Sequence, residues 1–457
     1  MKAIILAAGQ SKRMKSSLLK TLHPMCGKPV IKHITDACRQ AGVTDITIVI
    51  GNSDEQTQKI YTQDGVLQDG IRFAVQRDPQ GTGHAVQSAL EASAHFADDD
   101  EILVLAGDMP LLTADFIRGM ADCYRSMQSE GQGCAAVVSA VHWPTNTDFG
   151  HVYADADGFF IETVEARDLT EAHEHTPLRG TSCYLFNGAA LKQGLKQLTN
   201  ANAQNEYYLT DVPKHIKGNG GLGLVKVFCS DDDTAIFTGI NTQVQLAEAA
   251  AVMRRRINIA HMVNGVRMID PTTTYIDTDV QIAPEAIIYP GVVIEGASTI
   301  AQGARILAHS VISDASVGAF TQIGPFAYLR PGTVIGEKCR IGNFVEVKNA
   351  NIGNQTNAAH LTYIGDADVG SQVNVGCGVI TANYDGKNKS RTTIHDRAFI
   401  GSNTNLIAPV EIGEGAFIAA GSTINKSVPP SGFAIARARQ EVKENWNNDP
   451  RNHAKKS

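Results

Sequence analysis

Aliphatic side chains recur every sixth position through the last third of the chain, at Ile282, Ile288, Ile294, Ile300, Ile306 and Ile312. The register slips by one residue and continues at Val317, Ile323, Leu329, Ile335, Ile341 and Val347. After an irregular stretch it returns at Ile394, Ile400, Leu406, Ile412, Ile418 and Ile424. A helix needs a period near 3.6 and a half-buried strand a period near 2, so neither accounts for a strict six. A chain that turns a corner every six residues does. Each aliphatic then points into a narrow prism, and three hexads close one coil of about eighteen residues. Small or turn-prone residues follow many of these positions, as in Ile335-Gly-Glu and Ile412-Gly-Glu, and they supply corners. A β-helix is predicted from about Val266 to Val428.

The period breaks at Thr381–Thr393, where Asn383-Tyr-Asp-Gly-Lys-Asn-Lys-Ser-Arg must leave the prism as a loop. Insertions of this kind gather on a functional face of a repeat protein. The first half is patterned differently. Short apolar runs predict strands at Ala3–Ala7, Ile46–Ile50, Arg72–Val75, Ile102–Leu105, Ala135–Val141, Gly180–Phe186 and Leu224–Val227. Helices are expected at Ile31–Ala41, His84–Ala94 and Thr113–Gln128, the alternation of a mostly parallel sheet wrapped by helices. The segment Thr242–Met262 lacks Gly and Pro. It is bracketed by Asn241-Thr242 and Asn264-Gly265, so it reads as one connecting helix. The expected division is residues 1–228, a linker with its helix at 229–264, and 265–457, ending in a polar tail with Lys455.

Composition narrows the class. At 457 residues the chain is too long for one ordinary core. It is 43% hydrophobic and 19% charged. A net charge of -7 argues against nucleic acid or an anionic membrane as the main partner. The eight cysteines contain no Cys-x-x-Cys pair and read as free thiols in a reducing compartment. The apolar opening is too short for a signal sequence and no stretch is long enough to span a membrane, so the expected location is the cytoplasm.

Two places carry chemistry. Leu6-Ala-Ala-Gly-Gln-Ser-Lys-Arg-Met follows the first strand directly. Its small residues let backbone N–H groups approach phosphates, with Arg13 and Lys20 adding charge. Asp108 stands just past the end of the strand at Ile102–Leu105, where open α/β sheets bind ligands, and reads as a Mg²⁺ ligand. In the repeat half, Arg330 and Lys348 can anchor a sugar phosphate, and His360 sits where the hexads are interrupted. A lone histidine is more often a surface or core residue than a catalyst. A β-helix, however, has little use for His, Arg and Lys except at a site.

The amino-terminal elements resemble the nucleotidyltransferases that couple a nucleoside triphosphate to a sugar 1-phosphate. The likeness runs through Gln76, Gln80-Gly-Thr-Gly83, Gly150, Val164-Glu165, Glu206-Tyr-Tyr-Leu-Thr-Asp211 and Gly239-Ile-Asn241. With Ala359-His-Leu-Thr-Tyr363 in the repeat half, the whole chain resembles the bacterial bifunctional N-acetylglucosamine-1-phosphate uridylyltransferase/glucosamine-1-phosphate acetyltransferases. That resemblance implies a Rossmann-like α/β nucleotidyltransferase domain, a linking helix and a left-handed parallel β-helix of hexapeptide repeats, assembled as a homotrimer. It implies that Leu6, Ala7, Ala8, Gly9, Gln76, Gly81 and Thr82 hold UTP, and that Gly150 and Glu165 hold the sugar. Asp108 and Asn241 would bind Mg²⁺. In the second half, Arg330, Lys348, Tyr363 and Asn374 would bind the sugar phosphate. Cys377, Asn383, Tyr384, Ser402, Ala420 and Arg437 would line the acetyl-CoA groove, with His360 as the base. Glucosamine 1-phosphate carries an amine that must shed a proton before it attacks a thioester, and an imidazole suits that task.

Departures from the family pattern all fall in the first half. Gly9-Gln-Ser11-Lys12-Arg13 stands for Gly-x-Gly-Thr-Arg, Leu19 for a proline, His151 for an arginine and Arg167 for a lysine. The family's Glu-x-Asn-x-Gly is Leu178-Arg-Gly180-Thr-Ser182, which puts Gly180 at the sugar-binding asparagine position, and Asn205 stands where glycine is usual. Two other readings follow: an acetyltransferase alone, or a sugar-phosphate nucleotidyltransferase whose β-helix only oligomerises or regulates. A purely structural β-helix would show flat, Thr-rich faces and no amino-terminal phosphate turn, the reverse of this sequence.

Overall fold

The computed structural model describes residues 1–9, 11–51, 70–93, 95–145, 149–171, 173, 175–218, 222–230 and 234–448. It divides into two compact units, Met1–Arg254 and Arg255–Ser457. Ala94, the expected last residue of a helix, and the tail with Lys455 lie outside the described residues.

The first unit is built on a mixed sheet of β1 (Lys2–Ala7), β2 (Asp45–Ile50), β3 (Ile71–Val75), β4 (Glu101–Ala106), β5 (Cys134–His142), β6 (His151–Ala154), β7 (Phe160–Val164), β8 (Leu178–Asn187) and β9 (Leu224–Ser230). Its order is β9-β5-β8-β4-β1-β2-β3, with β6 and β7 hung as a hairpin beside β8. Strand β8 runs antiparallel to both β4 and β5, and the β1, β2, β3 and β4 pairings are parallel. The apolar runs are continuous because both faces are covered. Ala3, Ile5, Ile46, Ile48, Leu103 and Leu105 pack on one side with Phe116 and Ile34. Ile4, Val49, Ile102 and Val104 pack on the other with Val86 and Leu191.

Helices α1 (Val30–Gln40), α2 (Thr82–Ala92) and α3 (Ala114–Ser129) lie where the apolar pattern predicted them. The β6–β7 hairpin and the helices α4 (Gly188–Leu195) and α5 (Val212–Gly218) are additions to that reading. Helix α4 starts at a glycine and contains Gly194, a poor local signal. A Cβ on Gly188 would fall 2.1 Å from the Ala97 carbonyl oxygen, so packing selects the residue that propensity would reject. Helix α6 (Gln243–Val263) starts at Thr242, whose Oγ1 accepts from the Gln245 N–H, while Gln245 Oε1 accepts from the Asn241 N–H at 2.9 Å. It ends at Gly265, in the left-handed region at φ 91°, with the Val266 N–H bonded back to the His261 carbonyl.

In the second unit three parallel sheets of ten, nine and eight short strands form the sides of a prism. The first face runs from Arg267–Met268 to Phe433–Ala434, the second from Tyr275–Ile276 to Thr423–Ile424, and the third from Gln281–Ile282 to Val410–Ile412. Every aliphatic of the sixfold series points inward and is buried. The slip between Ile312 and Val317 is a shortened corner. Asp314 turns it in a left-handed conformation at φ 43°, and Asn349 and Asp366 (φ 47° and 46°) do the same on later coils. The stretch that looks irregular in sequence is regular in space. Two such corners break the count, while Ala358 and Thr381 take inward positions in place of large aliphatics. The Thr381 hydroxyl donates to the Gly365 carbonyl of the neighbouring coil at 3.0 Å, so its burial leaves no unpaired group.

Two candidate active sites

The carboxyl ends of β1 and β4 meet in the first unit, and the Gly107 N–H donates to the Leu6 carbonyl at 2.8 Å. This brings Asp108 beside the turn at Gly9. The Ile240 N–H then donates to the Asp108 carbonyl at 2.8 Å and sets Asn241 on the same spot. Lys20 Nζ reaches Asp108 Oδ2 at 2.5 Å and Asn241 Oδ1 at 3.1 Å. A pocket of about 270 Å³ opens here, lined by Gly9, Ser11, Lys12, Arg13, Lys20 and Asn241. Three cationic side chains and a backbone turn have the chemistry to meet a polyanion, and the two side-chain oxygens that of hard-cation donors.

A second group of candidates in this unit is laced across two segments. Gln76, almost fully buried, donates to the Gly81 carbonyl at 3.0 Å. The Tyr207 N–H donates to the Gln80 carbonyl at 2.8 Å, the Gly83 N–H to the Tyr207 carbonyl at 2.8 Å, and the Leu209 N–H to Thr82 Oγ1 at 3.0 Å. Gly81 is required: its φ is 109°, and a Cβ would stand 2.6 Å from the Tyr207 oxygen. Thr210 Oγ1 donates to Glu165 Oε1 at 3.0 Å, next to Gly150. Burial raises the Glu165 pKa above its ordinary value. The Thr210 hydrogen bond opposes this, and the charges of Asp211 and Asp168 add to it. The Gly180 N–H donates to the Gly150 carbonyl at 2.9 Å, so Gly150, Glu165 and Gly180 do share one place.

Three residues expected from the sequence to replace glycine have left-handed backbone. Ser11 has φ 50°, Ser182 57° and Asn205 53°. Ser11 compensates, because its Oγ accepts the Lys20 backbone N–H at 3.1 Å. Ser182 lies within the irregularity of the β8–β5 pairing between Gly180 and Tyr184.

In the second unit the candidates fall into two columns on successive coils. Asn343, His360, Cys377, Ser402 and Ala420 follow one another along the corner between the first and second faces. Hydrogen bonds to backbone carbonyls tie the column. The Asn403 N–H meets the Cys377 carbonyl at 2.8 Å, the Gly421 N–H meets the Ser402 carbonyl at 2.7 Å, and Arg437 Nη1 meets the Ala420 carbonyl at 3.0 Å. Arg330 and Lys348 stack along the corner at the far edge of the second face. Lys348 Nζ is 3.2 Å from Asp366 Oδ2, and Asn383 Nδ2 donates to the same oxygen. Burial alone would raise the Asp366 pKa. The hydrogen bonds from Asn349, Asn383 and Lys348 outweigh burial and hold it below the ordinary value. The excursion at 383–391 is closed by the Ser390 N–H on the Asn383 carbonyl at 2.9 Å and carries Tyr384 outward.

His360 Nδ1 lies 2.8 Å from Asn343 Oδ1. An amide oxygen only accepts, so Nδ1 is the donor, and of the two neutral tautomers this contact selects the one with its lone pair on Nε2. Asn343, Glu346 (2.8 Å from Arg330) and Asp366 support the candidate residues and were not singled out in the sequence. Their positions one coil from a candidate were the available signal. One chain does not gather every candidate. Asn374 faces out from the first face, Tyr363 stands on the second, and Lys348 lies beyond it. A five-residue face is roughly 16 Å across at 3.3 Å per residue.

Three protein-family models match successive parts of the chain. Residues 3–204 match the MobA-like NTP transferase domain, 268–352 the GMPPB C-terminal domain, and 391–426 the bacterial transferase hexapeptide (six repeats). The chain is 42% identical over 461 residues to the Bifunctional protein GlmU of Geobacillus sp. (strain WCH70), covering 97% of each. It is 43% identical over 464 residues to that of Clostridium botulinum (strain Langeland / NCTC 10281 / Type F), again 97% of each. It is 40% identical over 474 residues to that of Brevibacillus brevis (strain 47 / JCM 6285 / NBRC 100599), covering all of this chain and 99% of the relative.

Proposed function

The chain belongs to the GlmU family of bifunctional proteins, and from that premise we propose how its residues divide two reactions between them. It is an acetyltransferase and uridylyltransferase of UDP-N-acetylglucosamine synthesis. Acetyl-CoA donates to glucosamine 1-phosphate. The resulting N-acetylglucosamine 1-phosphate then attacks the α-phosphorus of UTP and releases pyrophosphate.

For acetyl transfer, His360 Nε2 takes a proton from the substrate ammonium. The freed amine attacks the thioester carbonyl, and as the tetrahedral adduct collapses the C–S bond breaks and the second amine proton passes to the departing sulfur, so CoA leaves as the thiol. The His360–Asn343 hydrogen bond is the observation that carries this assignment, because it selects the tautomer able to act as a base. Arg330 and Lys348 hold the phosphate. Tyr363 and Asn374 contact the sugar. Cys377, Asn383, Tyr384, Ser402, Ala420 and Arg437 flank acetyl-CoA, with Cys377 as a wall and not a carrier of the acetyl group.

The working assembly is a homotrimer in which neighbouring chains complete each acetyltransferase site. The separation of Asn374 from Lys348 in one chain supports this. So does an exposed ladder beside His360: His309, Phe326 and Phe344 stack with centroids 5.2 and 5.4 Å apart, and Leu361 is the exposed residue of the next coil. No described helix is long and apolar enough to cross a membrane. We place the enzyme in the cytoplasm, where its nucleotide and CoA substrates are found.

For uridylyl transfer, Leu6, Ala7, Ala8 and Gly9 with Gln76, Gly81 and Thr82 hold the nucleotide. Arg13 and Lys20 meet the phosphates, and Gly150 and Glu165 orient the sugar. Asp108 and Asn241 offer a carboxylate and an amide oxygen, hard donors suited to Mg²⁺, which when bound neutralises charge on the triphosphate. The reaction needs in-line positioning more than a protein nucleophile. Assaying the purified chain separately for CoA release and for pyrophosphate release tests the whole scheme. Both should be seen, and loss of pyrophosphate release alone would leave only the acetyltransferase reading.

A further inference from the structure

Lys20 Nζ lies between the two oxygen atoms assigned to the metal, 2.5 Å from Asp108 Oδ2 and 3.1 Å from Asn241 Oδ1. Its position is held from several sides. The backbone N–H is bound by Ser11 Oγ, the residue begins a 3-10 turn closed by Leu22 on the Leu19 carbonyl, and the side chain runs beneath Gly9. The Lys20 and Asp108 side chains are only 16% and 17% exposed, so solvent screens their pairing weakly. Mg²⁺ takes oxygen ligands at about 2.0–2.1 Å, so an ion on Asp108 Oδ2 would stand within about 4.6 Å of the ammonium, on the carboxylate oxygen that the ammonium already holds. A cation of charge two and an ammonium do not share it, because their repulsion grows as the inverse of distance in a half-desolvated site.

We propose that Lys20 is a latch on the metal site. Without nucleotide its ammonium holds Asp108 and Asn241 in place of the divalent cation. The metal enters only when a triphosphate draws that ammonium away. The inference rests on Asp108 and Asn241 as metal ligands. The destination is already built: the pocket beside Lys20 also carries Lys12 and Arg13, and among the described residues neither has an acidic partner. A triphosphate arriving there offers Lys20 more negative charge than Asp108 does, and leaves Asp108 free for the metal. Metal and nucleotide therefore bind as a pair, and the resting enzyme does not take up free divalent cation. Lys20 acts in this as a positioning residue, separately from its later contact with phosphate.

The test uses Mn²⁺ as the probe on the full chain, with water-proton relaxation to separate protein-bound Mn²⁺ from Mn²⁺–UTP. The native protein should bind Mn²⁺ weakly alone and far better with UTP. Lys20→Met, which keeps the length and removes the charge, should tighten Mn²⁺ binding without nucleotide by at least ~10-fold. Lys20→Arg should restore the weak binding, and adding Asp108→Asn to Lys20→Met should abolish the gain. The latch is overturned if Lys20→Met binds free Mn²⁺ no better than the native chain, or if the native chain binds it equally well with and without UTP. If Asp108→Asn leaves the UTP-dependent binding intact, the metal assignment fails and the latch fails with it. If Asp108→Asn weakens that binding while Lys20→Met gains nothing, only the latch is lost.

Discussion

Left-handed backbone is used differently in the two units, and the difference shows how a repeat carries a strained conformation that a single turn must carry alone. In the β-helix, bulky residues take positive φ at corner after corner: His309 (58°), Phe326 (55°), Phe344 (56°) and Leu361 (46°). Each is held by the coil before it, as when the Leu361 N–H bonds the Asn343 carbonyl at 3.0 Å. The repeat thus shares the cost of an unfavourable backbone across stacked copies. In the α/β unit, positive φ at Ser11, Ser182 and Asn205 serves single turns around a site. There no stacked copy shares the cost, and each turn carries its own left-handed residue.

The sharpest way to break this comparison is to disable each unit in turn. His360→Ala should lower CoA release by about two or more orders of magnitude, the usual range for losing a general base. Pyrophosphate release from supplied N-acetylglucosamine 1-phosphate should remain nearly normal. Near-normal acetylation by the variant would remove His360 from its role.

Asp108→Ala should do the converse, lowering pyrophosphate release by roughly 100-fold with acetylation unchanged. Unaltered activity at saturating Mg²⁺ would count decisively against Asp108 as a ligand.

Gly180→Asn sharpens the comparison with a smaller effect. A Cβ there would lie 3.3 Å from Val152 Cγ2 and 3.7 Å from the Gly150 oxygen, so one methyl must yield slightly and the backbone need not move. The variant should lower KM for N-acetylglucosamine 1-phosphate by several-fold, about 1 kcal/mol for one hydrogen bond, and leave kcat similar. No change in KM would mean that the pocket has moved on to another sugar phosphate.

Acidification should separate the units as well. The raised Glu165 pKa means that its carboxylate is lost at a pH above the ordinary 4.5, so sugar-phosphate KM in the uridylyl reaction should climb early as pH falls. Glu165 itself gains fold stability on protonation, since its folded pKa lies above the unfolded one. Asp366 has the opposite sign. Its lowered pKa adds stability above the ordinary 3.8, lost only as pH falls through the lowered value. A KM profile flat down to pH 4.5 would overturn the Glu165 assignment.

Ser182→Gly should give the smallest effect, a gain of about 0.5–1 kcal/mol from relieving φ 57° at an exposed residue, part of it offset by the freer unfolded chain. Thermal unfolding would register it. A loss of stability would show that Ser182 makes a bond worth more than its strain.

The sequence alone determined which side chains are inside. Burial acts on each position separately, so a period of six in the β-helix and unbroken apolar runs at Ala3–Ala7 and Ile102–Leu105 report it directly. Arg330, Lys348, His360 and the excursion at Asn383 stood out as candidates because loop excursions and charges on a repeat have few structural uses, while most other candidates rested on resemblance to a known family. Only the tertiary structure decided what those residues touch. The His360–Asn343 bond is set by coil length, and the regularity hidden at 347–394 by left-handed corners that shift the count. Helix α4 formed against its own propensity because Gly188 fits under the Ala97 carbonyl. Lys20, Asp108 and Asn241 are far apart along the chain and meet because β1 and β4 are neighbours in the sheet and the Ile240 N–H caps the second of them. Hydrophobic patterning is a property of single positions. Convergence is a property of topology, and no local stretch of sequence carries it.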